Sequence, residues 1–219
     1  MKRLKTLALF VGFLILCSCT SDSFLSDSDP KGDTWSLEIF SPPYMQSWAE
    51  MVVVEDLKGR SFRSPGGVLG SGNDNLEREY AKGWNSIGGG SHILTGADLP
   101  KRIYVRWQSI IEQKTYKGWV DIPEEARQFM RGSVMRKCPG WPERRPANHS
   151  AQAILGLAPG GVVGVWVGDN CLNRHQVARV HVGIEPLGPY QGQSSGKYRP
   201  IKEQSKRYIE RYGIPYGSW

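Results

Sequence analysis

What the chain has little of narrows its chemistry first. It holds only 4 cysteines and 4 histidines in 219 residues, and neither set has the spacing that builds a zinc box. His149, His175 and His181 lack ligand spacing, and His181 reads as a surface or rim residue of its strand. No serine sits in a nucleophile elbow, so His92 with Ser91 and Asp98 does not read as a triad. Gly192–Tyr198 resembles a phosphate loop only loosely: it is one residue short, and Tyr198 stands where Ser or Thr is required. Glu124 and Glu125 are neighbours on a helix and face different ways, so they read as helix-start charges and not as a catalytic pair. Asp169-Asn170 is explained by a turn without calcium. These absences argue against an enzyme and against a metal or other cofactor.

Long hydrophobic runs are also absent. The only sustained one is Leu7–Leu16, interrupted by Gly12, too short for the roughly 20 apolar residues that span a bilayer. Lys2, Arg3 and Lys5 precede it, and Leu16-Cys17-Ser18-Cys19 follows. A positive head, an apolar core and a small-residue cut site make a secretory signal over residues 1–18. The site resembles the bacterial lipobox, in which the cysteine after the cut is acylated. Cleavage before Cys17 would put Leu16 in the small-residue slot, so Cys19 is the expected lipid site and the bilayer its partner. Two or three acyl chains anchor stably where one does not. Thr20 is not the aspartate that retains many lipoproteins at the inner membrane, so a periplasmic protein anchored at the outer membrane is favoured. Residues 19–34, polar with Gly and Pro, form the expected tether.

About 200 residues remain after cleavage, enough for one domain, 35–219. The formal charge is +7, of which Lys2, Arg3 and Lys5 carry +3, leaving +4. So mild an excess is no nucleic-acid footprint. With Cys17 removed and Cys19 lipidated, Cys138 and Cys171 remain as one pair. An oxidising compartment makes a disulfide the default, two free thiols being the alternative. The bridge would close a 33-residue loop, worth roughly 4 kcal/mol in the chain-entropy model.

Period-two patterns dominate what is left. Trp35, Leu37 and Ile39 alternate with Ser36, Glu38 and Phe40. Met51–Glu55 turns at Lys58-Gly59 into Ser61–Arg63. Residues 64–98 are glycine-rich, with few apolar residues, and read as a long loop with one helical turn at Arg78–Lys82. Ile103, Val105 and Trp107 oppose Tyr104 and Arg106, and Tyr116–Ile122 pairs back as a hairpin. Pro123-Glu124-Glu125 opens a short helix that Gly132 ends. Residues 136–150 are a basic, Pro-rich loop. Ala153–Leu157 and Val162–Val167 flank Pro159-Gly160-Gly161 as a second, central hairpin. Ala178 to Ile184 forms another strand, 186–199 a linker, and Pro200 opens a C-terminal helix that Gly213 closes. The expected fold is mainly β: an antiparallel β-sandwich or curved sheet, with a short helix after the central hairpin and a C-terminal helix.

The stretch from Gly96 to Ser109, with its Leu99-Pro100 and Val105-Arg106-Trp107, resembles a family of proteobacterial lipoproteins, domain of unknown function 2931. Trp35, the Glu55-Asp56 hairpin, Gly83-Trp84, Tyr116–Pro123, Leu157–Gly161 and Ile214–Trp219 match its layout. The resemblance implies a surface-tethered envelope lipoprotein and carries no catalytic residues. It also associates the chain with contact-dependent secretion systems, as an immunity protein.

With catalysis disfavoured, a surface is the remaining candidate. Eight Trp and nine Tyr are many for this length, and aromatics beside Arg are what binding hot spots use. Trp84, Tyr104, Arg106, Trp119 and Trp141 are the candidate binding residues. The expectation is a non-enzymatic binding lipoprotein with a protein partner in the periplasm, an effector or an envelope protein. The rival is a structural lipoprotein contacting peptidoglycan or an outer-membrane partner.

Overall fold

The structure, a computed structural model, describes residues 34–70, 83–84, 87–133, 138–140, 151–169 and 171–219. The signal segment, residues 19–33 of the tether with Cys19, the helical turn at Arg78–Lys82, Trp141, His149 and Asn170 lie outside the described residues; Thr34, the last residue of the expected tether, is in a strand.

Alternation along the strands splits the chain into two layers. One sheet runs in the order β10 (Arg174–His181), β9 (Val162–Gly168), β8 (Gln152–Ala158), β1 (Thr34–Phe40), β5 (Gly90–Thr95). The other runs β11 (Gly183–Ile184), β7 (Lys114–Asp121), β6 (Pro100–Ser109), β2 (Ser47–Asp56), β3 (Ser61–Ser64), with β4 (Gly67–Leu69) also paired to β2. Trp35, Leu37, Val52, Val54, Ile103, Val105, Trp107, Leu155, Val163 and Val165 face each other across the gap and exclude water completely. The mainly β sandwich with two helices is therefore as expected. One pair departs from the antiparallel pattern: β1 lies parallel to β8, Ser36 opposite Gln152.

The central hairpin forms as its alternation requires, with Ile103 opposite Val120 and Tyr104 opposite Trp119. Helix α1 (Glu124–Ser133) follows and inserts Ala126 and Met130 into the core. It runs one residue past Gly132. Glu124 pairs with Arg127 and Arg131 along its surface, at 2.7 and 2.8 Å. Helix α2 (Glu203–Tyr212) closes on Gly213. Its Tyr208 ring stacks on Tyr44, centroids 4.3 Å apart. The last residue, Trp219, folds back beneath it and donates its indole N–H to Pro159 O, 3.1 Å.

Three sequence readings need correction. The segment 64–98 is not one loop: it contains β4 and β5, and β5 is an edge strand held on β1 with Leu94 opposite Trp35. Its glycines masked a strand in which only alternate residues, His92 and Leu94, turn inward. The strand from Ala178 to Ile184 is two strands, because Val182 donates its backbone N–H to Gly161 O, 2.9 Å, and the chain crosses from one sheet to the other. Residues 186–199 are not a linker but a strap packed against the second sheet.

Phe40, Ile154 and Trp166, with Trp84 and Ile87 against them, form a small cluster on the outer side of the first sheet. Gly156 and Gly164 face each other there. A Cβ at Gly164 would lie 2.3 Å from the Trp166 ring, and one at Gly156 2.5 Å from Trp84. The missing side chains make the trough that the two indoles fill. Cys138 and Cys171 are joined in a disulfide. Asp169, fully buried beside it, accepts the backbone N–H groups of Cys171 and Asn173 at 2.9 and 3.2 Å, so the turn consumes its carboxylate as the Asx geometry predicts.

Candidate functional site

The outer face of the second sheet is built by residues that alternate with the core. Strand β6 places Arg102, Tyr104, Arg106 and Gln108 on it, β7 adds Thr115, Lys117 and Trp119, and β2 adds Trp48, Glu50 and Glu55. The strap then divides this face into a covered half and an open half.

In the covered half, Glu50 sits where a bulge interrupts the β2–β6 register, between Ala49 and Met51. An extra residue in one strand re-aims its side chain, and here the carboxylate reaches over β6. It accepts from Arg106 Nε at 2.8 Å, Gln108 Nε2 at 2.9 Å and the backbone N–H of Tyr190 at 2.7 Å. The Arg106 and Glu50 side chains are only 7% and 2% exposed. Lys117 meets Glu185 at 2.9 Å, and its hydrogen bond, opposed by burial, holds that carboxyl below the usual range. Thr115 shares a hydrogen bond with the Tyr198 hydroxyl. Arg199 lies over the Trp48 ring, 3.5 Å from its centroid, and donates to the Tyr190 hydroxyl. Tyr190, Gln191 and Ser195 hold positive φ angles of 52°, 55° and 51°, conformations uncommon for residues with a Cβ. The strap is therefore fixed by side chains at both ends and bent against its own backbone preference between them.

The open half carries Tyr104 and Trp119, an edge-on pair with centroids 5.4 Å apart. Trp119 is 42% exposed. The Arg102 guanidinium stacks over it at 4.2 Å and binds Glu55 through two bonds of 2.9 and 2.6 Å. Lys101 joins Glu55 at 3.4 Å. The Arg102 hydrogen bond holds the Glu55 carboxyl below its ordinary range, against the effect of burial. The β2–β3 turn next to it is rigid. Asp56, wholly buried, accepts the backbone N–H groups of Lys58, Arg60 and Asp98 and the Arg60 Nε. Burial would raise its carboxyl, but the Arg60 and Asp98 donors outweigh it and hold it low.

Of the five candidate binding residues, the structure brings Tyr104 and Trp119 together. Arg106 is not a surface residue: the strap and Glu50 bury it, and Arg102, two strand repeats away, is the arginine beside the aromatics. Trp84 is half-buried, packed on Phe40 and Trp166 with centroids 5.1 Å away in each case. Trp141 lies outside the described residues. Ser91 and His92 point to opposite sides of β5, while the Asp98 carboxylate accepts from Leu99 N at 2.7 Å and pairs with Lys58 at 3.1 Å. Among the described residues, no group of His, Cys, Asp and Glu could hold a metal ion. None of the described helices is long and apolar enough to cross a membrane.

Glu50 and Arg102 are the residues that reading the sequence missed. Arg102 was within reach, since it lies two residues before Tyr104 on a strand whose alternation was evident. Glu50 was not, because the bulge that re-aims it leaves no compositional mark.

Functionally curated proteins and solved structures give no match to the chain. A family described as protein of unknown function (DUF2931) matches residues 23–217. The chain, matched over most of its 219 residues, belongs to this family.

Proposed function

We propose that the protein is a lipid-anchored envelope protein, held by acylated Cys19, that binds a protein partner in the periplasm without catalysis. The observation that carries this reading is the Tyr104–Trp119–Arg102 cluster. A half-exposed Trp, braced by a Tyr and a stacked guanidinium, is the side-chain set that dominates interface energetics. Its bracing means little rotamer freedom is lost on association. The cluster stands on two hydrogen-bonded strands, so the anchors are positioned before a partner arrives. The lipobox, the signal segment and the Cys138–Cys171 disulfide support export and tethering. A secreted effector is the partner class we assign, which makes the protein an immunity factor.

The test is capture of partners by the chain lacking residues 1–18 and carrying Cys19→Ser, from cells expressing the neighbouring reading frames. One stoichiometric partner, toxic when expressed alone and lost from a Tyr104→Ala/Trp119→Ala bait, is expected. Equal capture by both baits would refute the assignment of this surface. Recovery of peptidoglycan or outer-membrane proteins alone would replace the reading with a structural one.

A further inference from the structure

The geometry points to a second binding site, unrelated to the aromatic cluster: a cleft at the seam between β3 and β5 that takes a carboxylate on a short apolar arm, as at the C-terminus of a peptide. The cleft encloses about 370 Å³ and is lined by Glu50, Met51, Arg63, Ser64, Pro65 and His92. Its walls are the edge strands of the two sheets. His92 sits opposite Leu37 and Ser64 opposite Val52, so both turn toward the sandwich interior from facing edges.

Three polar groups here make no hydrogen bond or ion pair among the described residues. Ser64 is 3% exposed and its hydroxyl has no partner. Buried polar groups are nearly always satisfied, so an unspent hydroxyl on a cleft floor asks for an occupant. His92, half-buried, offers an imidazole N–H, and exposed Arg63 offers a guanidinium at the rim. The one acid in the lining does not compete for them. Glu50 already accepts from Arg106, Gln108 and Tyr190.

Each of these groups can donate, and Arg63 can only donate, so a ligand that all three share must accept. A guanidinium matches a planar carboxylate through two parallel bonds. Met51 and Pro65 supply apolar wall for a small side chain beside the carboxylate. Capture of a chain-terminal carboxylate by protein donors is an established recognition mode.

The test uses the full chain in detergent micelles and two probes, N-acetyl-trialanine with a free carboxylate and the same peptide as its C-terminal amide. Isothermal titration should show the acid binding at least about tenfold more tightly than the amide, the factor expected from a charge-assisted pair. Imidazole resonances should report it directly, since the chain has 4 histidines and His92→Gln identifies the one concerned. The His92 signals should move on adding the acid, and Arg63→Gln should weaken binding about tenfold without changing the melting temperature. Trp119→Ala should leave it unchanged, which keeps this site separate from the surface proposed above. Equal affinity for acid and amide, or binding that leaves the His92 resonances still, would overturn the inference.

Discussion

Replacing Arg106 by Met tests whether the covered half of the second sheet is held by a matched buried charge or merely by packing. The substitution keeps most of the aliphatic length and deletes the guanidinium. Glu50, whose side chain is 2% exposed, would then keep a carboxylate buried with only Gln108 and the Tyr190 N–H as donors. Breaking such a pair costs about 3–5 kcal/mol, because the remaining charge cannot recover its hydration. For a domain of this size each kcal/mol moves the midpoint by about 2–4 °C, so a fall of roughly 6–20 °C is expected in a thermal melt. Glu50→Gln with Arg106→Met removes both charges at once and leaves a neutral, hydrogen-bonded amide. The double variant should be far closer to the parent than the sum of the singles, with a coupling of about 2 kcal/mol or more. Hydrogen exchange adds a local readout: Glu50→Ala should speed exchange at the Tyr190 amide, which loses its acceptor. A loss below about 1 kcal/mol for Arg106→Met, or additive singles, would refute the reasoning and make this pair a solvated one.

Other perturbations follow from single contacts. Gly164→Val places a side chain where the Trp166 ring lies, 2.3 Å from the new Cβ; overpacking of this kind should cost about 1–3 kcal/mol, read as a lower denaturant midpoint with altered tryptophan emission. Reducing the Cys138–Cys171 bridge frees a loop of 33 residues and should cost roughly 4 kcal/mol in the chain-entropy model, measured as the difference between melts with and without reductant. Burial and the Glu112 carboxylate that accepts its hydroxyl push Tyr216 up to about 12, and burial followed by the same carboxylate raises Tyr116 as well. Because folding raises both values, their stabilisation is complete below pH 10, the ordinary tyrosine value, and is lost as pH rises through the folded values. An ultraviolet phenolate titration should show both late, and Glu112→Ala should bring them earlier and flatten the alkaline loss of stability.

How much of this was legible depended on whether the local pattern and the tertiary contact agreed. In β6 and β7 they did: Ile103, Val105 and Trp107 against Tyr104 and Arg106 is a period of two over a half-buried sheet, and the hairpin forms with that alternation. β5 was illegible because its core-facing residues are just His92 and Leu94, flanked by glycines that lower strand propensity. The strap was illegible for a different reason. Gly188, Gly192 and Gly196 all take positive φ, which composition alone cannot tell from a flexible linker. What orders the strap is Tyr190, Tyr198 and Arg199 meeting Glu50, Thr115 and Trp48, contacts across as many as 151 residues of sequence. Long-range satisfaction of one buried carboxylate leaves no short-range trace. For the same reason Arg106 read as exposed: alternation places it on the outer face correctly, but nothing local says that the outer face is covered there.

That partial cover gives the site its character. A sheet face fully open to water would leave Arg102, Arg106, Lys117 and their acids as separate solvated pairs, each worth at most about 1 kcal/mol and free to move. The strap instead desolvates Arg106 and Glu50 and stops short of Tyr104 and Trp119. The arginine nearest the aromatics, Arg102, is held from both sides, by the Trp119 ring and by two hydrogen bonds to Glu55. Glu55 belongs to the same strand as Asp56, whose four accepted hydrogen bonds fix the adjoining turn. The exposed cluster is thus tied through Arg102 and Glu55 to a rigid turn at one end, and through β6 to a buried ion pair at the other. Rigidity of this kind reduces the ordering cost of association, and it explains why the few exposed aromatics of this face can be spared from the core without leaving the sheet loose beneath them.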